Sequence, residues 1–491
     1  MTDATVTLGS VEQVLRSADL LEEVRGPEDV VVLGVSQDSR TTKEGDLFLA
    51  WKGTGLDAHD FVPAAMGRGA VATVVERPLD VEIPQIVVRN GRRAAALAAE
   101  TVMGSPSLEM LTVGVTGTNG KTTTALLLRH LLSPEIRTAV IGTLGLVEDD
   151  GVRPGTEGLT TPGPVQLAVW LRDLADGGVG AVVLEASSHA LEQHRLDGVL
   201  FDVAVFTNLT QDHLDYHGDM ASYRDAKTLL AGLVSERGTV IVNGSDDAWT
   251  EIDAQGRTLR TYAIDGDADV RASDLELDPS GTSFTMVADG ETHSVRMPLV
   301  GRYNVENALA AVSAAIAAGV PMERIVERLG DVPQISGRLE TVVSEPFSVL
   351  IDFAHTPAAL EGALAALAPL TTGRLIVLFG AGGDRDRSKR RPMADAVARV
   401  ADVMVVTSDN PRTEDPEAIM DDVVDGLEGI DFVRIADRRT AIRKALEMAR
   451  PGDTVVLAGK GHESYQVIGT EKQPFDEAAI VRDSLRDMGV L

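Results

Sequence analysis

Residues Gly114–Thr124 read G-V-T-G-T-N-G-K-T-T-T and lie between an apolar run, residues 110–115, and a helical stretch opening near Lys121. Strand, glycine turn and helix start in that order make a cradle for phosphate. Gly117 and Gly120 let backbone N–H groups turn inward toward anionic oxygens, and the helix start adds its partial positive charge. Lys121 can reach terminal phosphates and Thr122 can ligate magnesium, so ATP is the ligand to expect, contacted along Gly117, Thr118, Asn119, Gly120, Lys121, Thr122 and Thr123. The spacing departs from the ordinary phosphate loop, which wants glycine at 115 where this chain has Val115; Gly114 and Gly117 stand to either side. A generic nucleoside-triphosphatase label is therefore too loose.

Working outward, 491 residues exceed one ordinary core and suggest about three domains. Lys and Arg total 45 against 75 Asp and Glu, a formal charge of −30, which argues against nucleic acid or an anionic membrane as partner. Anionic substrates then need local basic clusters, such as residues 385–391. The absence of cysteine excludes disulfides and thiolate metal sites. No basic and apolar leader opens residues 1–10, and the longest apolar tract, 308–320, is too short to span a bilayer, so a cytoplasmic protein is expected; a monomer is the expected state, though nothing in the sequence fixes it.

The alternation of apolar runs and helical patterns predicts an α/β protein. Residues 1–105 read as a small mixed α/β domain with strands near 30–35, 46–51, 71–75 and 85–88, and residues 104–107 as a linker. Residues 106–336 read as the central ATP-binding domain with a mostly parallel sheet, strands near 110–115, 138–142, 180–185, 202–207 and 239–243, an antiparallel appendage over 267–300 with turns at 278–281 and 289–290, and a closing helix at 304–318. Residues 337–491 form a third, dinucleotide-fold-like unit with strands near 348–353, 374–379, 402–407 and 454–458.

Further strings join the glycine turn: Glu185-Ala-Ser-Ser-His189, Thr207-Asn-Leu-Thr-Gln-Asp-His213, Gly301-x-x-Asn304-x-x-Asn307, Gly337-Arg-Leu-Glu340, Asp352-Phe-Ala-His-Thr-Pro357 and Gly459-Lys-Gly-His-Glu463. In order and spacing this set resembles the Mur ligases, ATP-dependent amide-forming enzymes of peptidoglycan precursor synthesis, over essentially the whole chain. Asp215-Tyr-His-Gly-Asp219 ahead of Lys227, and Gly382-Gly-Asp-Arg-Asp386, resemble the branch that adds the third stem-peptide residue. Asp409-Asn410-Pro411-Arg412 is similar to the motif of members that add meso-2,6-diaminopimelate rather than lysine. An arginine fork suits the second carboxylate of diaminopimelate, which lysine lacks.

The resemblance implies two magnesium ions, held by Thr122 and Glu185 and by His213 and a CO2-derived carbamate on Lys227, with Lys121, Glu185, His213 and Lys227 as the catalytic set. On the residues alone, a lone loop histidine such as His213 is more often merely solvated, and a helix lysine such as Lys227 more often ordinary. The resemblance places Asn304 near adenine, with Arg338, Asp352 and His355 near ribose or phosphates. It gives the UDP-N-acetylmuramoyl-dipeptide to Gln37, Ser39, Thr54, Gly55, Leu56, Thr160, Thr161, Ser187, Gln193 and Arg195. Diaminopimelate falls to Arg385, Asp409, Asn410, Pro411, Arg412, Gly459 and Glu463. Departures are small: Phe353 where tyrosine is usual, Ala381 for a common cysteine, and Arg302-Tyr303 ahead of Asn304. Rival readings are the lysine-adding form, a phosphate-loop switch or motor, a non-catalytic relative, and a folylpolyglutamate synthetase, which would explain neither the N-terminal domain nor residues 409–412.

Overall fold

A computed structural model describes residues 6–53, 55–133, 135–155, 159–278, 281–427 and 431–490. Three large sheets in succession organise the chain, with a two-stranded ribbon of Tyr465–Ile468 and Glu471–Pro474 beside the last. The first orders its strands Leu21–Arg25, Gln85–Val88, Ala72–Val75, Asp46–Leu49, Gly34–Ser36, all parallel except the first. Helices Leu8–Ser17 and Gly91–Val102 cover one face, burying Leu8, Val11 and Leu15 with the alanines of the second helix against Leu47, Val74 and Ile86. Two expectations change here. The apolar run at 30–35 supplies a strand only from Gly34, with Val31 in an isolated bridge to Thr7, and the charged segment Leu21–Arg25 is a strand whose pattern was illegible because it is a largely exposed edge.

The central sheet has eleven strands among the described residues. Leu111–Thr116 sits between Ala181–Glu185 and Phe201–Phe206, in parallel register with both. Thr138–Gly142 extends one side, and Val234–Asn243 and Thr258–Ile264 the other, again parallel. Because helices pack on both faces, these strands read as continuous apolar runs rather than alternating ones. One face holds helix Lys121–Leu132 against Arg302–Ala317, where Ala308, Ala311 and Ala315 let the backbones approach; the other holds Pro164–Asp176 and Met220–Gly232. Each fully buried leucine of the first helix, Leu127, Leu128 and Leu131, contributes about 2 kcal/mol by its burial. The antiparallel strands Val270–Asp278, Gly281–Ala288 and Glu291–Met297 are the edge of this same sheet, not an appendage, since Val270–Asp278 pairs in parallel with Thr258–Ile264. Of the turn expected at 278–281, residues 279–280 lie outside the described residues.

The third sheet runs Glu340–Val343, Ser348–Asp352, Thr454–Ala458, Leu375–Phe379, Val403–Val406, Phe432–Arg434, parallel beyond its antiparallel first strand. The expected linker at 104–107 is structured instead: Pro106–Glu109 is a short 3-10 turn, and buried Glu100 Oε1 accepts the Ser107 N–H at 2.8 Å. In both parallel sheets the candidate residues gather beyond the carboxyl ends of the strands, where loops part to either side and leave a crevice.

Candidate active site at the domain junctions

The phosphate loop leaves the central strand at Gly117, whose φ of 145° and crowding allow no side chain: a Cβ there would lie 1.8 Å from Thr207 Oγ1. Neighbouring strand Phe201–Phe206 secures the loop. Thr118 N donates to Asn208 O at 2.7 Å, Asn119 N to Asn208 Oδ1 at 2.9 Å, and Thr207 Oγ1 to Asn119 O at 2.7 Å. The helix then opens at Lys121, with Thr122 and Thr123 buried in its first turn. Lys121 Nζ donates to Gly117 O and Thr118 O at 2.9 and 2.8 Å, and Lys227 Nζ, from helix Met220–Gly232, donates to the same Gly117 carbonyl at 2.7 Å. Burial pushes both amines down. Lys227, 4.4 Å over the Tyr223 ring, falls well below the ordinary lysine range, with the Lys121 charge adding to desolvation.

Glu185 ends its strand facing this loop. Its Oε2 accepts from the hydroxyls of Thr122 and Thr143, each at 3.0 Å, and its Oε1 from Thr143 N at 2.9 Å. Gly142 makes the space, since a Cβ there would sit 2.1 Å from Glu185 Oε1. One carboxylate beside two hydroxyls is a set of hard oxygen donors suited to magnesium, which is commonly held by one or two carboxylates together with phosphates and water. Among the described residues no three His, Asp or Glu side chains gather as a metal cluster. His213 adopts φ 55° at the start of helix Leu214–His217, its ring edge-on to His189 at 4.8 Å, and burial lowers it to about 3.

The C-terminal sheet closes over this loop. Arg338 Nη2 donates to Thr122 Oγ1 at 3.2 Å while its guanidinium stacks 4.6 Å from the Phe353 ring centroid. Asp352 is spent on local backbone, accepting Leu339 N at 2.7 Å and Ala354 N at 2.9 Å; burial raises it to about 6. Asn304 donates to Val300 O at 2.9 Å and leaves its buried Oδ1 without a partner among the described residues. His355 Nε2 lies 3.8 Å from Asp212 Oδ2, and Lys389 Nζ is 3.3 Å from Asp212 Oδ1. Burial would raise the Asp212 carboxyl, but Lys389, His213 and His355 outweigh it and hold it well below the usual carboxylate range.

Between the first two sheets lies a cavity of about 210 Å³, lined by Gln37, Trp51 and Arg92 on one side and by Leu159, Gly163, Pro164, Gln193 and Arg195 on the other. Gln37 Oε1 is buried there without a partner among the described residues. Arg195 is oriented by Thr161 O at 2.9 Å and Gln193 Oε1 at 2.7 Å. Thr161 Oγ1 in turn binds Glu185 O at 2.6 Å and Ser187 Oγ at 3.1 Å, and the Thr143 and Thr160 hydroxyls lie within hydrogen-bond distance at 3.2 Å, so this cavity and the phosphate loop share one network. Ser39 is buried in the first domain and does not line this cavity, while Gly55 and Leu56 belong to an exposed turn closed by Gly53 N donating to Leu56 O at 2.8 Å; Thr54 lies outside the described residues.

The expected basic cluster at 385–391 mostly neutralises itself. Arg387 and Arg390 pair with Glu414, Arg390 also with Asp422, Lys389 with Asp212 and Arg391 with Asp395. Arg385 has no ion pair among the described residues, and it faces Arg412, whose Nη1 donates to Gly383 O at 2.7 Å. Burial and the Arg385 charge both depress Arg412. Two guanidiniums thus converge beside the strand ends that carry Asp409, Asn410, Gly459 and Glu463. Pro411 O packs so closely on Gly383 that a Cβ there would lie 1.9 Å away.

Three family models match successive parts of the chain. Residues 31–111 match the model described as Mur ligase family, catalytic domain; residues 115–315 match the Mur ligase middle domain; residues 337–461 match the Mur ligase, glutamate ligase domain. The chain belongs to the Mur ligase family. It is 41% identical over 461 residues to the UDP-N-acetylmuramoyl-L-alanyl-D-glutamate–2,6-diaminopimelate ligase of Bacillus velezensis, covering 92% of this chain and 94% of that protein. A solved structure of a ligase of the same name aligns at 33% identity and TM-score 0.71, covering 99% of each chain. The MurF ligase of Thermotoga maritima in complex with ADP shares the fold at 19% identity and TM-score 0.66, covering 94% of this chain and 98% of that one.

Within this Mur ligase fold, several side chains at the site carry no signal in the sequence. Thr143 belongs to no quoted string, yet it gives Glu185 two of its hydrogen bonds. Asp212 lies in the string 207–213 and Lys389 in the basic cluster at 385–391, but nothing local tells that the two pair with one another, 177 residues apart. Trp51 and Arg92 line the cavity without any local signal. Lys460 sits inside a quoted string, and only its complete burial singles it out.

Proposed function

We propose that this chain is an ATP-dependent ligase joining meso-2,6-diaminopimelate to the D-glutamate carboxylate of UDP-N-acetylmuramoyl-L-alanyl-D-glutamate, as its relatives are named for doing. The observation that carries the reading is the convergence of Arg412 and Arg385, free of ion pairs among the described residues, beside Glu463. That arrangement suits an amino acid with both a carboxylate and an ammonium at its far end; lysine would leave the arginines unpaired.

Residues 1–105, 106–336 and 337–491 are taken as the units that carry the UDP-sugar, ATP and amino acid. A carboxylate cannot expel oxide, so it must be activated as an acyl phosphate: its oxygen attacks the γ-phosphorus, ADP departs, and the amine then displaces phosphate. Loop N–H groups and Lys121 hold the phosphates, and Arg338 reaches the same helix start from the C-terminal domain. Thr122 and Glu185 would hold one magnesium, and His213 with a carbamate on Lys227 a second; the ions would neutralise charge as carboxylate and phosphate meet. The depressed, buried Lys227 amine supports carbamate formation, since only the neutral amine adds to CO2, losing a proton as the anion forms. Closure of the C-terminal domain keeps water from the anhydride. Cytoplasmic, monomeric operation completes the reading.

The decisive experiment supplies ATP, magnesium and the UDP-linked dipeptide with diaminopimelate or lysine. Phosphate release should require both dipeptide and diaminopimelate, and oxygen-18 in the glutamate carboxylate should appear in the phosphate. Release without any amino acid, or without label transfer, would defeat the reading. For Lys227, bicarbonate added to a CO2-stripped preparation should raise activity, and Lys227→Ala should lose most of it.

A further inference from the structure

Lys460, in the turn after strand Thr454–Ala458, is wholly buried, and its ammonium serves other side chains rather than solvent. Nζ donates to Asn410 Oδ1 at 3.1 Å and to Glu463 Oε2 at 3.0 Å, and lies 3.6 Å from Asp409 Oδ1. Asn410 is thereby held in a single sense. Its Oδ1 also accepts Val467 N at 2.9 Å, and its Nδ2 donates to Glu463 Oε2 at 2.8 Å. Flipping the amide would set NH2 against the Lys460 ammonium and against an N–H, and turn its carbonyl oxygen to a carboxylate. Glu463 Oε2 therefore holds two donors, while Oε1 takes no hydrogen bond from the described residues.

We infer that Lys460 is a positioning and specificity residue for the amino-acid substrate: through Asn410 it locks Glu463 so that the free oxygen meets one substrate ammonium, while Arg412 and Arg385 receive the carboxylate beside it. The inference rests on the amino-acid reading of this cleft given above. Charge supports it. Asp409 and Glu463 with one lysine leave a single negative charge beside two guanidiniums, so a substrate ammonium and its neighbouring carboxylate each meet a group of opposite charge. Without Lys460, buried Asp409 and half-buried Glu463 would lose the cation they share, and Asn410 would be free to turn.

The test measures KM separately for ATP, the UDP-linked dipeptide and diaminopimelate. Lys460→Met, which keeps the stem and removes the charge, should raise the diaminopimelate KM about 10- to 100-fold and leave the other two unchanged. In a Glu463→Gln background the same change should cost far less, because the two residues act as one unit. A uniform rise in all three KM values, or additive effects of the two substitutions, overturns the inference. If Lys460→Met lacks a cooperative melt, Asn410→Asp decides instead: it keeps the lysine but removes the donor to Glu463, and an unchanged diaminopimelate KM refutes the proposed lock. Wild-type protein that turns over no amino acid overturns both this inference and the ligase reading, whereas wild-type turnover with an unaltered Lys460→Met enzyme overturns this inference alone.

Discussion

Arg412 illustrates how one side chain can be recognisable in sequence while its fitness for the task is not. Asp409-Asn-Pro-Arg412 marks it, but the structure shows why it is available: a φ of 52° and a bridge to Ile468 set the backbone, and carbonyls rather than carboxylates receive its N–H groups. Arg412→Lys retains the charge and loses the fork, so diaminopimelate turnover should fall about 100-fold in kcat/KM with ATP affinity kept, as steady-state kinetics would show. Gly117 is the opposite case, a residue whose role follows from what cannot stand there. A methyl group at this position would meet Thr207 Oγ1 at 1.8 Å, so Gly117→Ala should displace the loop and abolish nucleotide binding in calorimetry.

Strand ends need support as well as side chains. Arg438, fully buried on helix Arg438–Met448, donates to Ala458 O at 2.9 Å and Ser408 O at 3.4 Å, the carbonyls just ahead of Gly459 and Asp409, and its Nε pairs with buried Glu477 at 2.8 Å. The pair links two helices to the two loops that carry the proposed amino-acid site. Glu477→Ala strands a buried guanidinium and should cost about 3–5 kcal/mol, read by chemical denaturation, whereas Arg438→Met with Glu477→Leu should recover much of that loss. Helix Lys121–Leu132 was legible because glycine turn, lysine and apolar face coincide in one short stretch. The edge strand Leu21–Arg25 was not, because exposed edges need no apolar alternation.

Across the whole molecule, the central and C-terminal domains meet at charges that neither could bury alone. Asp212 and Lys389 form that contact, joined by Gln211 Nε2 donating to Ser388 Oγ at 3.0 Å. Asp212→Ala leaves Lys389 unpaired at the junction, so small-angle scattering should show a more open average shape while each domain keeps its fold. The same crowding sets a pH response. Burial holds His189, His355 and His462 neutral down to about 4 and His213 to about 3. Unfolded histidines protonate near 6.5, so between about 6.5 and 4 the unfolded chain binds more protons and stability falls as pH falls. Asp352, raised to about 6, and Glu100 and Glu306, also raised by burial, oppose this, but five histidines, His217 included, act the other way. Melting temperature should therefore be lower at pH 5 than at pH 7, and His462→Asn should flatten the difference.

The order of domains, the parallel α/β class and the phosphate loop were written locally, because glycine, lysine and apolar runs act over a few adjacent residues whatever surrounds them. Partnership was decided by folding alone. Thr143 with Glu185, Lys389 with Asp212 across 177 residues, and Lys460 among three site residues each depend on which strand ends the sheets bring together. Whether a charge is buried, and beside what, is a property of that packing; no string of neighbouring residues contains it.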